Sequence, residues 1–590
     1  MILTELPTEV LWQIVSHIRF AGDILHLSMT CQKLQDVISN DGFRIFTQNT
    51  FPSISIPLPV DYAGKTNDFY RSAARSLTTL TRGWDRKAVL AHQMLPLSNT
   101  KASRFGVRTP QTMGFIPYMD CHDEWFGGVW YDRKKVGNWY DRQEVIVCST
   151  GAQFEFRIND LSKSEDDNCA LHKYSRVSYD DKEALDGRDD IVFVKLLKPT
   201  NSTQGVLIGR SSGNFERLSR SNKTWKWSKA AVFETGGKAI KVAATSVDGL
   251  LAACLADRLI ALYDVGAEGS TIVLPKQELQ LPLPDTVQAR ATCFLRQDRL
   301  AVAYGSSLAP MQVFDIADGR LKEANPIEGT LRNCTLRRGS FAKIEGESAF
   351  SIAPVSPRSA AGGQGGNLFL AGYSEGSIAL HDLRCRGSVV SEFKDNVDTS
   401  AVYSLMTYGQ ERFVAGAGRG SLLKMFDLRL GAKKYYANEL LPCSQPIMQN
   451  ESSGSCCYFH HQVSRDRLGW NLFLRDGRGR YDSPVYSLSK TSDFSPTFYA
   501  GIEGNVLEVN IHSMMDKFPE PVLRFPRPTK GESFLSQSDM LTWAKKRGVL
   551  RLRMYEHVRR TNEAAKLRKQ SHVGIHFGVF SGWDERWEPL

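Results

Sequence analysis

The sequence lacks the features that mark membrane and secreted proteins. No stretch reaches the roughly 18 uninterrupted apolar residues of a bilayer-spanning helix. The first residues, MILTELPTEV, have neither the basic nor the apolar region of a secretory signal. The 11 cysteines are odd in number and form no C-x-x-C pair, which argues against a disulfide framework. We therefore expect a protein of a reducing compartment, cytoplasmic, nuclear or both, with no membrane partner.

The composition is otherwise that of a folded globular protein. Of 590 residues, 42% are hydrophobic, 10% are aromatic and 23% are charged, which excludes a disordered or fibrous chain. The length suggests two to four structural units.

The net charge of +10 is concentrated near the C-terminus. Residues 545–569 contain ten basic side chains against two glutamates and so supply +8 of the total. The rest of the chain is too weakly charged to coat duplex DNA, so nucleic acid is not an expected partner. Residues 160–190 lean acidic and show no hydrophobic period, which predicts a solvated insertion.

The first fifty residues predict three short helices. Pro7 suits the first helical position, and Val10 and Ile14 follow at helical spacing. Asp23 can cap a second helix that ends at Gly42, where GFRIFTQN offers a third. Three helices of this length bury little surface by themselves, so some of their apolar side chains are expected to contact another protein.

Three segments in this region resemble an F-box: LPTEVLWQIVSHI, DILHLSMTCQKLQDVIS and GFRIF. F-boxes bind the Skp adaptor of cullin-RING ubiquitin ligases, so the resemblance implies an adaptor-binding unit over 1–50 and a linker over 51–80. The late tryptophan of the motif is replaced by Phe43 or Phe46. The alternative is an ordinary three-helix cap packed on the next domain. The resemblance assigns adaptor binding to Leu6, Pro7, Glu9, Val10, Ile14, Leu25, Leu27 and Leu34.

The long middle of the chain repeats one pattern seven times: a β-rich run, a small-residue turn and a second β-rich run. The turns fall near Gly151, Gly213, Asp257, Ser307, Gly376, Gly420 and Gly504. A further strand recurs upstream, most clearly as AVYSL at 401–405 and PVYSL at 484–488. Four hairpins end with an aromatic residue or histidine before an aspartate, at Asp264, Asp315, Asp382 and Asp427.

These seven units resemble a seven-bladed WD-type β-propeller over residues 81–530, with a glycine-rich loop at 357–367. The resemblance implies a mainly β fold. The Gly-His and Trp-Asp dipeptides of the family are missing, so rings of six and of eight blades remain as alternatives. Trp84–Gln93 is expected to close the ring as a strand of the last blade. Residues 531–590 are expected to be a basic mixed segment with a strand at 549–554 and a helix at 556–569.

An F-box before a WD-type propeller is the arrangement of substrate receptors in SCF-type cullin ubiquitin ligases. The resemblance implies that the F-box binds the Skp adaptor and that the propeller binds an unknown protein, phosphorylated or not. At the propeller turns, Arg210, Arg258 and Arg419 form the candidate substrate face, because converging arginines can hold a phosphate or a carboxylate. Glu375 and Glu503 interrupt this positive rim. The alternative function is a nucleic-acid- or chromatin-associated scaffold that uses the basic C-terminal segment.

The motifs that resemble catalytic, cofactor or metal sites fail on their context. Gly372–Gly376 matches G-x-S-x-G, but a strand rather than a helix is predicted after Ser374. Cys456–His461 contains four metal-capable side chains, and such adjacent pairs rarely converge tetrahedrally. Gly416–Gly420 lies in a repeat turn and not before a helix. We therefore expect a non-catalytic protein without cofactor or metal.

Overall fold

A small helical unit and a ring of β-sheets make up the computed structural model of the chain. The residues that the structure describes are 5–18, 20–56, 66–94, 116–125, 139, 142–160, 175–179, 184–185, 187–200, 203–221, 226–266, 272–305, 307, 309–327, 347–385, 388–430, 469–474, 483–511, 550, 552–556, 567–570 and 587–589.

The helical unit consists of four short helices and a long one. They are α1 Thr8–His17, α2 Ala21–Ser28, α3 Gln32–Val37, α4 Phe43–Thr50 and α5 Thr66–Asp85, with a π-helical turn Ile38–Gly42 between α3 and α4. The carbonyl of Pro7 accepts hydrogen bonds from the N–H groups of Val10 and Leu11 at the start of α1. The predicted start at Pro7 is therefore confirmed to within one residue.

The prediction of one second helix is wrong, because two helices stand in its place. The hydroxyls of Ser28 and Thr30 donate to carbonyls three residues earlier, at 2.6 and 2.8 Å. Such side-chain bonds compete with continuation of a helix. Cys31 is extended, with φ −159° and ψ 162°, and α3 begins after it. The predicted boundary at Gly42 and the third helix in GFRIFTQN are confirmed, since the π-helical turn ends at Gly42 and α4 begins at Phe43.

The segment predicted as a linker, 51–80, contains most of α5. The buried side chains of this helix keep helical spacing along one face: Phe69, Ala73, Leu77, Leu80 and Trp84. They pack against the ring of sheets, where they meet Tyr408 and Phe494. The linker prediction is thus corrected, because α5 fastens the helical unit to the ring.

Thirty-two strands lie within the described residues. The first sixteen are β1 Val89–Gln93, β2 Met119–Trp125, β3 Arg142–Thr150, β4 Gln153–Asp160, β5 Ser175–Tyr179, β6 Ile191–Thr200, β7 Thr203–Arg210, β8 Phe215–Ser221, β9 Trp227–Phe233, β10 Ile240–Thr245, β11 Leu250–Leu255, β12 Leu259–Asp264, β13 Ile272–Val273, β14 Gln277–Gln280, β15 Ala289–Arg296 and β16 Arg299–Tyr304. The others are β17 Met311–Ala317, β18 Arg320–Ile327, β19 Ala349–Pro354, β20 Leu368–Tyr373, β21 Ser377–Asp382, β22 Val389–Lys394, β23 Val402–Tyr408, β24 Arg412–Ala417, β25 Leu422–Asp427, β26 Trp470–Phe473, β27 Val485–Lys490, β28 Thr497–Ile502, β29 Asn505–Ile511, β30 Arg553–Glu556, β31 Arg568–Gln570 and β32 Trp587–Pro589.

These strands form seven sheets that close into a ring. Blade 1 is β2–β5, blade 2 is β6–β9 with β13, blade 3 is β10–β12 with β14, blade 4 is β15–β18, blade 5 is β19–β22, blade 6 is β23–β26 with β30–β32, and blade 7 is β27–β29 with β1. The first strand of each blade contacts the first strands of its two neighbours, and β27 contacts β2. The first strands are therefore innermost. The predicted mainly β, seven-bladed propeller is confirmed, and six or eight blades are excluded.

The seven predicted hairpins are the second and third strands of the seven blades. Glycines at their turns adopt left-handed φ, 61° at Gly151 and 71° at Gly420, where a side chain would be strained. The carboxylates of Asp264, Asp382 and Asp427 each accept a 2.9 Å hydrogen bond from the N–H two residues later. Such Asx turns end the third strands and explain why an aspartate recurs there.

A strand from before the first blade completes the last blade. β1 pairs antiparallel with β29, from Val89 opposite Ile511 to Gln93 opposite Leu507. The closing strand predicted within Trp84–Gln93 is confirmed, although its first residues belong to α5 and the turn after it.

The C-terminal strands add a second fastening to this closure. β30, β31 and β32 extend blade 6 beyond β26. The indole N–H of Trp587 donates to the carbonyl of Lys87 at 2.8 Å, and the side-chain amide of Gln570 donates to that of Val89 at 2.6 Å. Blade 6 therefore holds the closing strand of blade 7.

Two charged segments differ from their predictions. Ser175–Tyr179, within the predicted acidic insertion, forms the outer strand of blade 1, and Asp190 is 1% exposed. The acidic stretch is thus partly built into the sheets.

In the basic C-terminal segment, β30 overlaps the strand predicted over 549–554 at Arg553 and Met554 and continues to Glu556. The helix predicted after it is wrong at its far end, because Arg568 and Lys569 lie in β31. Cys456–His461 lies outside the described residues.

Candidate functional site

Six of the seven innermost strands carry a β-bulge at their second residue. The register of each of these strands skips one residue against the second strand of its blade. The inserted residues are Val192, Lys241, Arg290, Phe350, Tyr403 and Tyr486. A bulge re-aims its side chain out of the regular alternation of the strand, and bulges recur beside binding sites.

The bulges lie at one face of the ring. Antiparallel pairing puts Val402, at the start of β23, opposite Ala417, at the end of β24. The bulges are therefore at the same face as the turns between second and third strands. We call this face the turn face.

Three of the bulged residues are aromatic and follow one another around the turn face. The ring centroids of Phe350 and Tyr403 are 5.0 Å apart, and those of Tyr403 and Tyr486 are 6.1 Å apart. Tyr118, just before β2, continues the row in blade 1: burial raises the pKa of its hydroxyl to about 12, and neighbouring Tyr486 adds to the shift. We call Phe350, Tyr403, Tyr486 and Tyr118 the aromatic arc. Tyr403 is 37% exposed and presents its ring to solvent, while Phe350, Tyr486 and Tyr118 are half-buried.

Serine side chains join the blades beneath the arc. Ser351 donates to the carbonyl of Val402 at 3.0 Å, and Ser404 donates to that of Val485 at 2.8 Å. Ser487 repeats the contact with the carbonyl of Pro117 at 2.6 Å. Each serine ties a first strand to the start of the next blade, so the arc rests on a rigid support.

A glycine opposite each serine makes this close approach possible. A Cβ at Gly372 would lie 2.5 Å from both the Ser351 hydroxyl and a methyl group of Val402, and Gly416 and Gly501 are equally crowded. The G-x-S-x-G match therefore has a packing origin. Its serine, Ser374, lies in the turn between β20 and β21, as predicted from the sequence.

Exposed cations stand beside the arc. The guanidinium carbon of Arg290 is 5.8 Å from the ring centroid of Phe350, and Arg290 is exposed. Lys241, at the equivalent bulge of blade 3, is also exposed. Arg419 is exposed next to Gly418, and a Cβ at Gly418 would lie 2.8 Å from the Tyr403 ring.

The three arginines predicted as a substrate face do not share a pocket. Arg210 is 1% exposed and donates to the carbonyls of Ala152 and Asp189, both at 2.9 Å, so it fastens blade 2 to blade 1. Arg258, in blade 3, is paired with Asp285 at 2.8 Å. Only Arg419 of the three is exposed beside the arc. The prediction is corrected, because the last residue of β7 points into the protein and not to the rim.

The two glutamates predicted to interrupt the rim both lie at turns of this face. Glu375 is exposed in blade 5 and Glu503 is half-buried in blade 7.

The helical unit packs on the opposite face of the ring, at turns between first and second strands. Arg412 pairs with Asp85 of α5 at 2.7 Å, and the side chain of Gln410 donates to the carbonyl of Thr50 at 2.6 Å. Phe494 and Phe69 flank Trp139, with centroid distances of 5.0 and 5.4 Å. The helices thus leave the turn face accessible.

The eight predicted adaptor-binding residues differ in exposure. Pro7, Glu9 and Val10 are exposed, and Leu34 is only 2% exposed. The half-buried ones are Leu6, Ile14, Leu25 and Leu27. The prediction that Leu34 contacts the adaptor directly is corrected, because this side chain packs against Leu11 between α1 and α3.

The prediction missed two exposed apolar side chains of the helical unit. Phe20 is 60% exposed and Met29 is 75% exposed. Met29 lies at the break Ser28–Cys31, where a continuous second helix was expected, and Phe20 lies just before α2, outside the predicted helix.

A groove between α1 and α3 lies close to these residues in the chain. It is lined by Thr8, Trp12, Gln32, Lys33, Asp36, Val37, Asn40 and Asp41. The buried indole N–H of Trp12 has no acceptor among the described residues.

No cluster of three or more histidine, cysteine or carboxylate side chains with metal-binding geometry occurs within the described parts of the chain. In the same residues, no helix is both long and apolar enough to cross a bilayer. The cysteines that the structure describes are all free thiols.

Comparison with known proteins adds little to this geometry. No protein-family model matches the sequence, and no curated protein matches it. Among solved structures, the chain is similar to Chaetomium thermophilum Sqt1 bound to the N-terminus of the ribosomal protein L10, with 12% identity and a TM-score of 0.38 over 62% of this chain and 80% of that one. The chain is a seven-bladed β-propeller, because its strands pair into seven sheets and the first strands of these sheets close the ring.

Proposed function

We propose that this protein is a substrate receptor of an SCF-type cullin ubiquitin ligase, with a Skp-type adaptor on its N-terminal helices and a protein substrate on the turn face of its propeller. The observation that carries the proposal is the separation of two candidate surfaces on opposite faces of one ring. A receptor of this kind performs no chemistry itself. It raises the effective concentration of its substrate near a conjugating enzyme.

The turn face has the composition of a protein-binding surface. Aromatic residues and arginine dominate binding energy at protein interfaces. Here the exposed Arg419 follows Gly418, which packs against the ring of Tyr403. Because the serine contacts fix each first strand to the next, little ordering of this surface would oppose binding.

The helical unit supports adaptor docking through its sequence resemblance and its exposed apolar side chains. Val10 is 37% exposed, and Met29 is exposed more fully. A small unit that leaves such residues at its surface is suited to a helix-groove contact. An acceptor from a bound partner would also satisfy the buried indole N–H of Trp12.

The test measures adaptor binding and substrate capture with separate variants. Val10→Asp with Met29→Asp is expected to abolish binding of purified Skp adaptor, measured by calorimetry, because it places a charge on each of two exposed apolar side chains. The matched control is Val247→Asp, at a 72% exposed residue of the propeller, and it should bind adaptor normally. Adaptor binding by the double variant at the wild-type level would refute the adaptor assignment.

Substrate capture is tested by proximity labelling in cells with and without proteasome inhibition. Proteins that accumulate next to the wild-type chain should be lost with Tyr403→Ala and Arg419→Gln, while adaptor binding is retained. Labelling that is indifferent to both substitutions would refute a receptor role for the turn face.

The alternative, a nucleic-acid-associated scaffold, receives no support from the described part of the basic segment. Arg568 and Lys569 are half-buried in β31, where they extend blade 6. Recovery of partners that depends on nucleic acid rather than on adaptor would favour this alternative over the receptor.

A further inference from the structure

We infer that the turn face binds an extended peptide segment in which an acidic side chain stands two or four residues from a large apolar one. The inference rests on the proposed function, since it names the chemistry of the segment that the receptor recognises. The aromatic arc takes the apolar side chain. The cations beside the arc take the acidic one.

The charges of the bulged positions are complementary to an acidic ligand. None of the six bulged residues is a carboxylate, while Lys241 and Arg290 are exposed cations. Arg290 stands over the end of the arc at Phe350, 5.8 Å from its ring centroid. Arg419 adds a third exposed cation, one residue after Gly418, which packs against the ring of Tyr403. A carboxylate that reaches Arg290 or Arg419 therefore brings neighbouring residues onto the rings.

Two carboxylates of this face are already paired within the protein. Asp285 accepts from Arg258 at 2.8 Å, and Asp398 accepts from Lys424 at 2.8 Å. These pairs reduce the repulsion that an acidic peptide would meet. Exposed carboxylates that such a peptide must avoid are Glu375, at the turn of blade 5, Asp257, at the turn of blade 3, and Glu234, just after β9.

The spacing along the arc matches an extended chain. Successive groups from Arg290 through Phe350 and Tyr403 to Tyr486 are 5.8, 5.0 and 6.1 Å apart. Alternate side chains of an extended peptide are separated by about 6.6 Å. One blade therefore corresponds to two residues of peptide, which sets the separation of two or four residues between the acidic and apolar side chains.

The arrangement of the rings favours a peptide over single-stranded nucleic acid. Base stacking needs accessible ring faces. Here Phe350 and Tyr403 are packed against each other with an interplanar angle of 33°, and Tyr486 meets Tyr403 edge-on. The arc presents the exposed ring of Tyr403 flanked by the half-buried rings of Phe350 and Tyr486, which suits an aliphatic or aromatic side chain.

The experiment uses the full chain and a fluorescein-labelled synthetic peptide with a Glu-Ser-Phe core between glycine and serine flanks. Anisotropy should show binding at least about tenfold tighter than to matched peptides with lysine for glutamate or alanine for phenylalanine, the scale of one charge-assisted hydrogen bond. Arg290→Gln and Tyr403→Ala should each weaken binding about tenfold. Tyr403→Phe, which keeps the ring, should preserve it.

The matched control is Arg296→Gln. Arg296 lies on the same strand as Arg290 but at its other end, toward the opposite face, and its side chain is 56% exposed. Its substitution should leave peptide affinity unchanged. Equal binding of the lysine peptide, or indifference to both Arg290→Gln and Tyr403→Ala, would overturn the inference. So would a thymidine oligonucleotide that binds more tightly and displaces the peptide.

These outcomes are separable from failure of the proposed function. If the peptide fails to bind but cellular capture still requires Tyr403, the receptor proposal stands and the acidic-apolar motif is wrong. If cellular capture is indifferent to Tyr403, the receptor proposal itself fails at this face.

Discussion

At the scale of single residues, the blades approach so closely that some positions have no room for a side chain. Gly372 is the clearest case, because its missing Cβ is what lets the Ser351 hydroxyl reach the next blade. The same residue opens a motif that in another fold would belong to a nucleophilic serine. Substitution can separate the two interpretations.

We predict that Gly372→Ala destabilises the protein by about 1–3 kcal/mol, the usual cost of overpacking a core. Ser374→Ala should change stability by less than about 0.5 kcal/mol, as expected for a partly exposed turn residue. Urea unfolding of both variants measures this difference. A larger loss of stability from Ser374→Ala than from Gly372→Ala would contradict the turn assignment. Labelling of Ser374 by a fluorophosphonate would also contradict it and would indicate a nucleophilic serine.

A second residue-scale prediction concerns His381, which is fully buried in blade 5. Its ring stacks on Phe369 at 4.9 Å, and its two nitrogens contact the hydroxyls of Tyr373 and Ser388 at 2.8 and 3.1 Å. Burial lowers the pKa of His381 to about 3. Below about pH 6.5, His381 becomes protonated in the unfolded chain but stays neutral in the folded protein. The free energy of unfolding therefore falls as the pH falls.

Between pH 7.5 and 5.0, this proton should cost about 2 kcal/mol of unfolding free energy. His381→Gln removes the titrating group and keeps a hydrogen-bond donor and an acceptor. The unfolding free energy of this variant should therefore fall by about 2 kcal/mol less than that of the wild type between the two pH values. Urea unfolding at the two pH values gives the comparison. Parallel pH profiles for wild type and variant would show that the folded protein protonates His381 readily.

At the scale of elements, the sequence predicted strands better than helices. The hairpins were readable because alternation and turn glycines are local signals, and every predicted hairpin is a pair of adjacent strands. Helix α5 was missed although Phe69, Leu77 and Trp84 show its period. Its partners are Tyr408 and Phe494, hundreds of residues away, and local patterns carry no information about such contacts.

The site was predicted only in part for a related reason. Tyr403 and Tyr486 occupy the same place in the two VYSL repeats, so the sequence contained a signal for the arc. What it did not contain is the bulge that turns these rings to the surface, since an extra residue in one strand shows only against its partner. Arg210 was misassigned for the opposite reason: it adjoins a turn, but both sides of the end of β7 are buried.

The docking of α5 gives an element-scale prediction. Arg412 is buried between Asp85 and Asp427, at 2.7 and 3.7 Å, and its guanidinium lies 5.3 Å from the ring of Trp84. Arg412→Ala should cost about 3 kcal/mol, because it removes a buried side chain that packs on Trp84 and pairs with the largely buried Asp427. Hydrogen exchange should also rise along α5.

The control for this prediction is Arg429→Ala. Arg429 contacts the same Asp427, but its side chain is 47% exposed, so the loss should stay below about 1 kcal/mol. Unchanged exchange along α5 in the Arg412 variant would mean that apolar packing alone holds the helix.

At the scale of the whole molecule, the ring depends on one short strand. His92→Pro removes an N–H that β1 directs at β29, where His92 lies opposite Glu508. We expect a lower urea midpoint and a larger radius of gyration by solution scattering, because blade 7 loses its outer strand.

Val177→Pro makes the same change in β5, the outer strand of blade 1. This strand plays no part in closure, so the radius of gyration should stay that of the wild type. Similar expansion by both variants would show that any lost outer strand opens the ring.

The closure by β1 also determines how late in synthesis the ring can close. A span of 412 residues separates Gln93 from its neighbour Asn505, and ribosomes add about 5–20 residues per second. The closing strand therefore waits about 20–80 s after its own synthesis before its partner exists. Throughout that interval it is an unpaired β-edge, the kind of segment that aggregates or recruits chaperones. On every chain, the ring therefore stays open for about 20–80 s before blade 7 can be completed.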